Sequence, residues 1–276
     1  MNMKTIATAL EILEVFTDDN NYHSVSELAD RFALPRSQVS RILSTFRDAG
    51  WLEQHPKTRL YSVGVAAYAF GSRFIRQHPL TRQALPILRS VVDRSGFHAT
   101  LSTLDGLRPL YLLGIEGPVA VDFTSDFGAY YPFHATAPGK ALAAFAPSRI
   151  REQLLAQAPF ERLTMRTIVE GERLRKELDH IARRGYSASD GERLAGIGGL
   201  AVPVIDHSGE LVAAVGTAFP TQMVSPAEYE YQVQILRGAA HALAERFEGS
   251  PRVLRLQQSR RSTGNHPSTM HDEEEA

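Results

Sequence analysis

Six polar side chains within one short stretch, Arg36, Ser37, Gln38, Ser40, Arg41 and Ser44, are the first candidates for chemistry in this 276-residue chain. Guanidinium groups pair with phosphate oxygens or, bidentately, with the acceptor edge of guanine, while hydroxyl and carboxamide groups serve phosphates and base edges alike. What such a set can do depends on what holds it. Interleaved with it run Val39, Ile42, Leu43 and Phe46 at i, i+3, i+4 and i+7, one stripe of an α-helix. Pro35 suits the first helical position and Gly50 the position after the last, so residues 34–50 predict a helix with one face for a core and another for a DNA major groove.

A merely solvated helix face has the same composition, and the neighbouring sequence decides between the two. Ser24-Val25-Ser26-Glu27 is a capping box that opens a helix with Val25, Leu28, Ala29 and Phe32 on one side, and a turn near Ala33-Leu34 joins it to the next helix. Upstream, residues 5–16 repeat the stripe with Ile6, Ala9, Leu10, Leu13 and Phe16. Downstream, two short extended runs, 51–54 and 60–63, flank a turn that carries Lys57 and Arg59, the pattern of a wing whose cations contact phosphates. A winged helix-turn-helix accounts for all four signals in order. The formal charge of −1 hides an uneven distribution. From Arg31 to Arg76 the cations are Arg31, Arg36, Arg41, Arg47, Lys57, Arg59, Arg73 and Arg76, against Asp48 and Glu53 alone.

The remainder of the chain is too long for one such module. Residues 65–77 are helical in pattern but apolar on two sides, Val65, Tyr68 and Ile75 on one and Ala67, Phe70 and Phe74 on the other. Such a helix either links to and packs against a second subunit or lies buried in one protomer. After Pro79 come a helix with Ala84, Leu85, Leu88, Val91 and Val92 inward, a strand from Phe97, an Asp105-Gly106 hairpin of type I′, and a second hairpin around residues 206–210. A final helix begins at the Ser225-to-Glu228 capping box with Pro226 at its first position. The expected class is α+β: an N-terminal winged helix-turn-helix, a linker helix, and an antiparallel sheet with flanking helices. The domain limits are 1–63, 64–78 and 79–248, with a tail over 249–276 whose composition predicts disorder.

Enzyme chemistry finds little support in this second unit. The segment from His134 through Gly139-Lys140-Ala141 lacks the first glycine of a phosphate loop, and Ala141 stands where a magnesium-binding hydroxyl belongs. Asp190 and Glu192 beside Gly191 read as a solvated turn, and His98 and His134 have no fixed-spacing partners for a metal. No nucleophile elbow occurs, so neither a catalytic site nor a cofactor or metal is expected. The absence of cysteine fits a cytoplasmic protein, and no apolar run or leader pattern points to a membrane. A structural DNA binder of the nucleoid type would need no ligand pocket.

The run LPRSQVSRILSTFRDAGWLE, the segment HATAPGKALAAF, and Gly185-x-x-x-Ser189-x-x-Glu192 followed by Gly199-Leu200-Ala201-x-x-Val204-Ile205-Asp206 together resemble the IclR family of bacterial transcriptional regulators. The resemblance covers residues 5–248. It implies a GAF-like effector-binding domain, a homodimer or tetramer, palindromic double-stranded operator DNA, a small organic-acid effector from a catabolic operon, and room for a contact with RNA polymerase.

By the same resemblance the effector site draws on Thr136, Ala137, Pro138, Gly139, Lys140, Ser189, Gly199, Leu200, Gly216 and Ala218. Family members that bind small keto acids carry acidic, thiol and hydroxyl groups where this chain has Ser189, Gly199, Gly216 and Ala218, and Pro138 has no N–H to donate. Fewer polar groups and smaller side chains point to a larger, aromatic or otherwise bulky acid, its carboxylate near Ser189, Thr136 or Lys140. They are equally compatible with a degenerate, ligand-independent sensor.

Overall fold

The computed structural model describes residues 3–17, 22–119 and 128–247. Helix α1 (Met3–Glu14) tightens into a 3-10 turn at Val15–Thr17, and α2 (Val25–Phe32) and α3 (Arg36–Asp48) follow. Strands β1 (Leu52–Gln54) and β2 (Tyr61–Val63) pair antiparallel as the wing. The capping box closes in both directions, with the Glu27 N–H donating to Ser24 Oγ at 3.1 Å and the Ser24 N–H to the Glu27 carboxylate at 3.3 Å. Ala33 ends α2 at φ 49°, a left-handed conformation that makes the sharp turn into α3. The core so enclosed contains Ile12, Phe16, Leu28, Val39, Leu43, Leu52 and Tyr61.

Two details differ from the expected stripes. The buried positions here are Ile12 of α1 and Val15 and Phe16 of the 3-10 turn, whereas Ile6 and Leu10 remain 43% and 47% exposed on the side turned away from that core. Pro35 is the cap of α3 and not its first residue. Its ψ of 134° keeps it extended while its carbonyl accepts from the Gln38 and Val39 N–H groups.

Helix α4 (Val65–Gln77) leaves the wing through Gly64, where a Cβ would lie 2.4 Å from the Gly50 carbonyl oxygen. None of its residues is buried in the protomer. It meets α5 (Pro79–Ser95) at His78, which caps the end of one helix and the start of the other. The buried Thr81 hydroxyl lies 2.6 Å from the Ile75 carbonyl and 3.0 Å from that of His78.

Beyond α5 come β3 (His98–Asp105), β4 (Arg108–Ile115), α6 (Ala137–Phe145), α7 (Ser148–Leu155), α8 (Gly171–Arg184), β5 (Ser187–Asp190), β6 (Ile197–Ile205), β7 (Leu211–Pro220) and α9 (Pro226–Arg246). The five strands form an antiparallel sheet in the order β4-β3-β7-β6-β5. Its first hairpin pairs Asp105 with Arg108, so the loop is Gly106-Leu107. Only Gly106 has positive φ (61°), which fits a II′ turn and corrects the expected I′ turn. Leu85, expected inward, is 38% exposed, because α5 buries the stripe Leu80, Ala84, Ile87, Leu88 and Val91. The tail expected to be disordered lies outside the described residues.

Register decides which side chains share a sheet face. Thr100, Gly216, Ala201 and Ser187 are directly opposite one another across four strands, and the next row on that face is His98, Ala218, Gly199 and Ser189. Helix α6 lies against these rows, where Ala137, Ala141 and Leu142 pack on Ala201 and Ala214. On the other face α5 and α9 pack on Ala99, Leu101, Leu200 and Val202.

Among the described residues, three histidines are shifted from the usual imidazole pKa. Burial holds His78, His98 and His134 below the ordinary imidazole range. The folded chain therefore keeps them neutral at pH values where the unfolded chain, with pKa near about 6.5, takes up protons. Their contribution is complete above that pH and is lost as pH falls below it. Calorimetric melting should show a midpoint that drops on acidification from about pH 7 to about pH 5.5, with a shallower drop in His134→Gln; a flat profile would contradict the burial argument.

Candidate DNA interface and effector site

On α3 the buried Val39, Ile42 and Leu43 leave Arg36, Ser37, Ser40 and Arg41 exposed on the opposite side, with Gln38 and Ser44 half-buried at its edges. Ser44 is partly committed already, since its hydroxyl donates to the Arg41 carbonyl at 3.0 Å. In the wing, Lys57 and Arg59 are exposed at the tip. Gln54 Nε2 donates to the Arg59 carbonyl at 2.9 Å, and the Thr58 N–H to His55 Nδ1 at 3.1 Å, so the turn is held by its own side chains. Arg47 pairs with Asp48 at 2.7 Å and reaches Gln54 at 3.4 Å, which braces α3 against the wing.

The effector candidates separate into two groups. Thr136, Ala137, Pro138, Ser189, Gly199 and Ala218 line one cavity of about 60 Å³, set in a recess of about 520 Å³ that includes its open mouth. The first turn of α6 forms one wall, and the loop between β5 and β6, with Arg193 and Leu194, forms another together with Ile197 at the start of β6. Tyr111 and Thr100 complete the lining from β4 and β3.

The other four candidates are elsewhere, each for a physical reason. Leu200 points to the opposite face, as strand alternation requires of a neighbour of Gly199, and packs in the core beneath α5 and α9. Gly216 lies under Pro138, whose Cγ would be 2.9 Å from an added Cβ. Gly139 donates its N–H to Thr136 Oγ1 at 3.1 Å and packs on Phe133, where a Cβ would come within 2.6 Å. Lys140 is fully buried and donates to both oxygens of Glu192, at 2.6 and 2.8 Å, so it is not a cation for a ligand. The same bond corrects the reading of Glu192 as part of a solvated turn; Asp190 does remain exposed, paired with Arg166.

Residues not anticipated add to the polar character that Thr136 and Ser189 give the cavity. The Arg193 guanidinium lies 4.1 Å over the Tyr131 ring at the rim, half-buried and cationic. Tyr111 stands edge-on to Tyr131 at 4.5 Å, its hydroxyl pushed up to about 12 by burial despite a hydrogen bond with Thr136. Thr100 is buried, and its Oγ1 has no hydrogen-bond partner among the described residues. A buried hydroxyl left in that state wants a ligand or a water. Arg193 could have been found one residue past Glu192, whereas Thr100 becomes visible only when the strand register is known.

The geometry is thus a helix face of cations and hydroxyls joined to a domain with a small cavity that has a guanidinium at its rim. The family pattern of the IclR helix-turn-helix domain matches residues 5–56, and that of the bacterial transcriptional regulator IclR C-terminal region matches residues 72–245. The chain belongs to the IclR family of bacterial transcriptional regulators. It is 30% identical to the HTH-type transcriptional regulator BhcR of Paracoccus denitrificans over 91% of this chain and 88% of that protein. It is 26% identical to the transcriptional repressor IclR of Escherichia coli, over 81% and 82% of the two chains. Among solved structures, an IclR homologue from Microbacterium hydrocarbonoxydans complexed with 4-hydroxybenzoate superposes with a TM-score of 0.73 at 29% identity, covering 89% of this chain and 100% of that one. As an IclR-family member the chain is a transcriptional regulator with a DNA-binding helix-turn-helix domain, and no helix among the described residues is long and apolar enough to cross a membrane.

The packing of α6 on the sheet generates a test. Gly216→Ala should cost about 1–3 kcal/mol of stability by forcing Pro138 away from β7, measured by urea unfolding. An unchanged midpoint would show that α6 is free to shift.

Proposed function

We propose that this protein binds its operator as a dimer, regulates a catabolic operon, and responds to an aromatic or similarly bulky organic acid. The observation that carries the effector reading is the cavity itself, which has Arg193 at its rim and the unpartnered Thr100 hydroxyl in its wall. An acid placed there would have a guanidinium and the N-terminal end of α6 for its carboxylate. A hydroxyl donor on its far side would meet Thr100. The enclosed part, about 60 Å³, is smaller than small-molecule sites in general, so an acid would extend into the open recess around it. The complex of a homologue with 4-hydroxybenzoate supports the same class. Of the small residues expected to enlarge the floor, only Gly199 and Ala218 face the cavity, since Ala201 and Gly216 lie under α6. The enclosed part of the pocket is therefore small, and a ring would extend into its open recess.

DNA reading is assigned to Arg36, Ser37, Gln38, Ser40 and Arg41, with Ser44 at the edge and Lys57 and Arg59 on phosphates. The domain division follows the elements: winged helix over 1–63, linker over 64–78, effector domain over 79–248. The dimer reading rests on α4, where Val65, Tyr68 and Phe70 are 78%, 75% and 68% exposed along one helix. An apolar surface of that kind matches a second copy of itself, and two copies of α3 would then address half-sites about one or more helical turns apart.

Sequencing DNA retained by the purified protein identifies the operator. On it, Arg41→Ala should cost roughly 1–3 kcal/mol, with a smaller loss on random DNA. Equal losses on both would reassign Arg41 to the phosphates. Calorimetry with 4-hydroxybenzoate, benzoate, glyoxylate and pyruvate tests the effector class: binding of the aromatic acids, lost in Arg193→Ala, is expected, and binding of the small acids alone would defeat it. By sedimentation the protein should be at least a dimer at micromolar concentration, and Tyr68→Glu with Phe70→Glu should shift it to monomer. A wild-type monomer would remove the assignment of α4 as an interface.

A further inference from the structure

The loop that carries Arg193 is anchored in part by a buried charge pair. Gly191 (φ 66°) and Gly196 (φ 80°) bound it at β5 and β6, and Leu194, Ala195 and Gly196 are exposed. Its anchorage is concentrated at Glu192. The carboxylate takes both short hydrogen bonds from Lys140 Nζ, and the main-chain carbonyl accepts from Thr167 Oγ1 at 2.7 Å, while Thr164 Oγ1 donates to the Gly191 carbonyl at 2.7 Å. Lys140 in turn belongs to α6, one helical turn after Thr136, Ala137 and Pro138 of the opposite cavity wall, and its N–H donates to the Thr136 carbonyl at 2.9 Å. The pair thus joins the two walls of the cavity without lining it.

Stability alone does not account for such a pair. Two charges taken out of water recover their desolvation cost only with good geometry, and apolar side chains of similar volume are commonly as stable or more so. Position is what an apolar pair could not supply. A bidentate bond has direction, and it fixes Glu192, hence the adjoining Arg193, relative to the helix that forms the facing wall.

We propose that Lys140 and Glu192 are positioning residues, which hold Arg193 over Tyr131 at the cavity rim and so set the affinity of the site for a carboxylate. For the ligand this rests on the effector site proposed above; for the placement of Arg193 it stands alone. Glu177, the second carboxylate near Lys140 at 4.0 Å, keeps Arg184 at 3.3 Å as its own partner, so removing the lysine does not strand it.

The test uses the full chain with Lys140→Met and Glu192→Leu combined, and two readouts. The first is trypsin cleavage after Arg193, followed by mass spectrometry. It should accelerate about tenfold or more, because the bond becomes accessible once the loop opens locally, while the melting midpoint stays within a few degrees. The second is 4-hydroxybenzoate affinity by calorimetry, expected to fall roughly tenfold, the worth of about one charge-assisted hydrogen bond, with operator binding in the absence of acid preserved. Unchanged cleavage at Arg193 overturns the proposal. So does full affinity in the double variant when Arg193→Ala has lost it, a result that leaves the effector site itself standing. If the wild type binds none of the acids, the effector reading fails and the cleavage rate alone decides the role of the pair. Should the double variant unfold, Glu192→Gln, which keeps the shape and loses the charge, takes its place: faster cleavage and weaker binding are again expected, and unchanged cleavage again overturns the proposal.

Discussion

The effector domain depends on how closely one helix can lie against one sheet face. Backbone approaches backbone only where side chains are small, and the rows under α6 contain Gly216, Ala201 and Ala214, met from above by Ala137, Pro138 and Ala141. A methyl group added at Gly216 would already collide with Pro138. Seating α6 this low aims its first turn along the sheet toward Gly199 and Ala218, and what remains between that turn, the two small residues and the β5–β6 loop is the cavity. The size of the site is thus a remainder left by packing, and its polar groups Arg193, Thr100, Ser189 and the Tyr111 hydroxyl come from the strands and the β5–β6 loop.

Much of the DNA-binding unit can be read from the chain alone because its determinants are local. A capping box, a helical stripe and a two-cation turn each act over a few residues, and each is present where the pattern puts it. The errors there are likewise local: Ile6 and Leu10 obey the helical period but lie on the wrong side of it, since period alone does not say which of two apolar stripes meets the neighbouring helices.

The effector site is harder to read for the opposite reason. Lys140 and Glu192 are 52 residues apart, and nothing near either one announces that they bond. Read separately, a lysine after glycine suggests an anion site and a glutamate beside glycine suggests solvent. Together they neutralise each other in the interior. Leu200 is misplaced by adjacency to Gly199, although alternation in a strand sends neighbours to opposite faces. Thr100 carries no local signal at all, because its role follows from the partners it lacks in the assembled sheet.

The junction at His78 has a mechanical meaning. One residue ends α4 and begins α5, and the Thr81 hydroxyl sits against carbonyls on both sides of it. A flexible tether would let the two units of the protein tumble independently, so that the state of one was lost on the other. This joint leaves no run of unstructured residues between the two helices. It sets two helices end to end with His78 alone between them, one packed on the sheet and the other continuing from the wing.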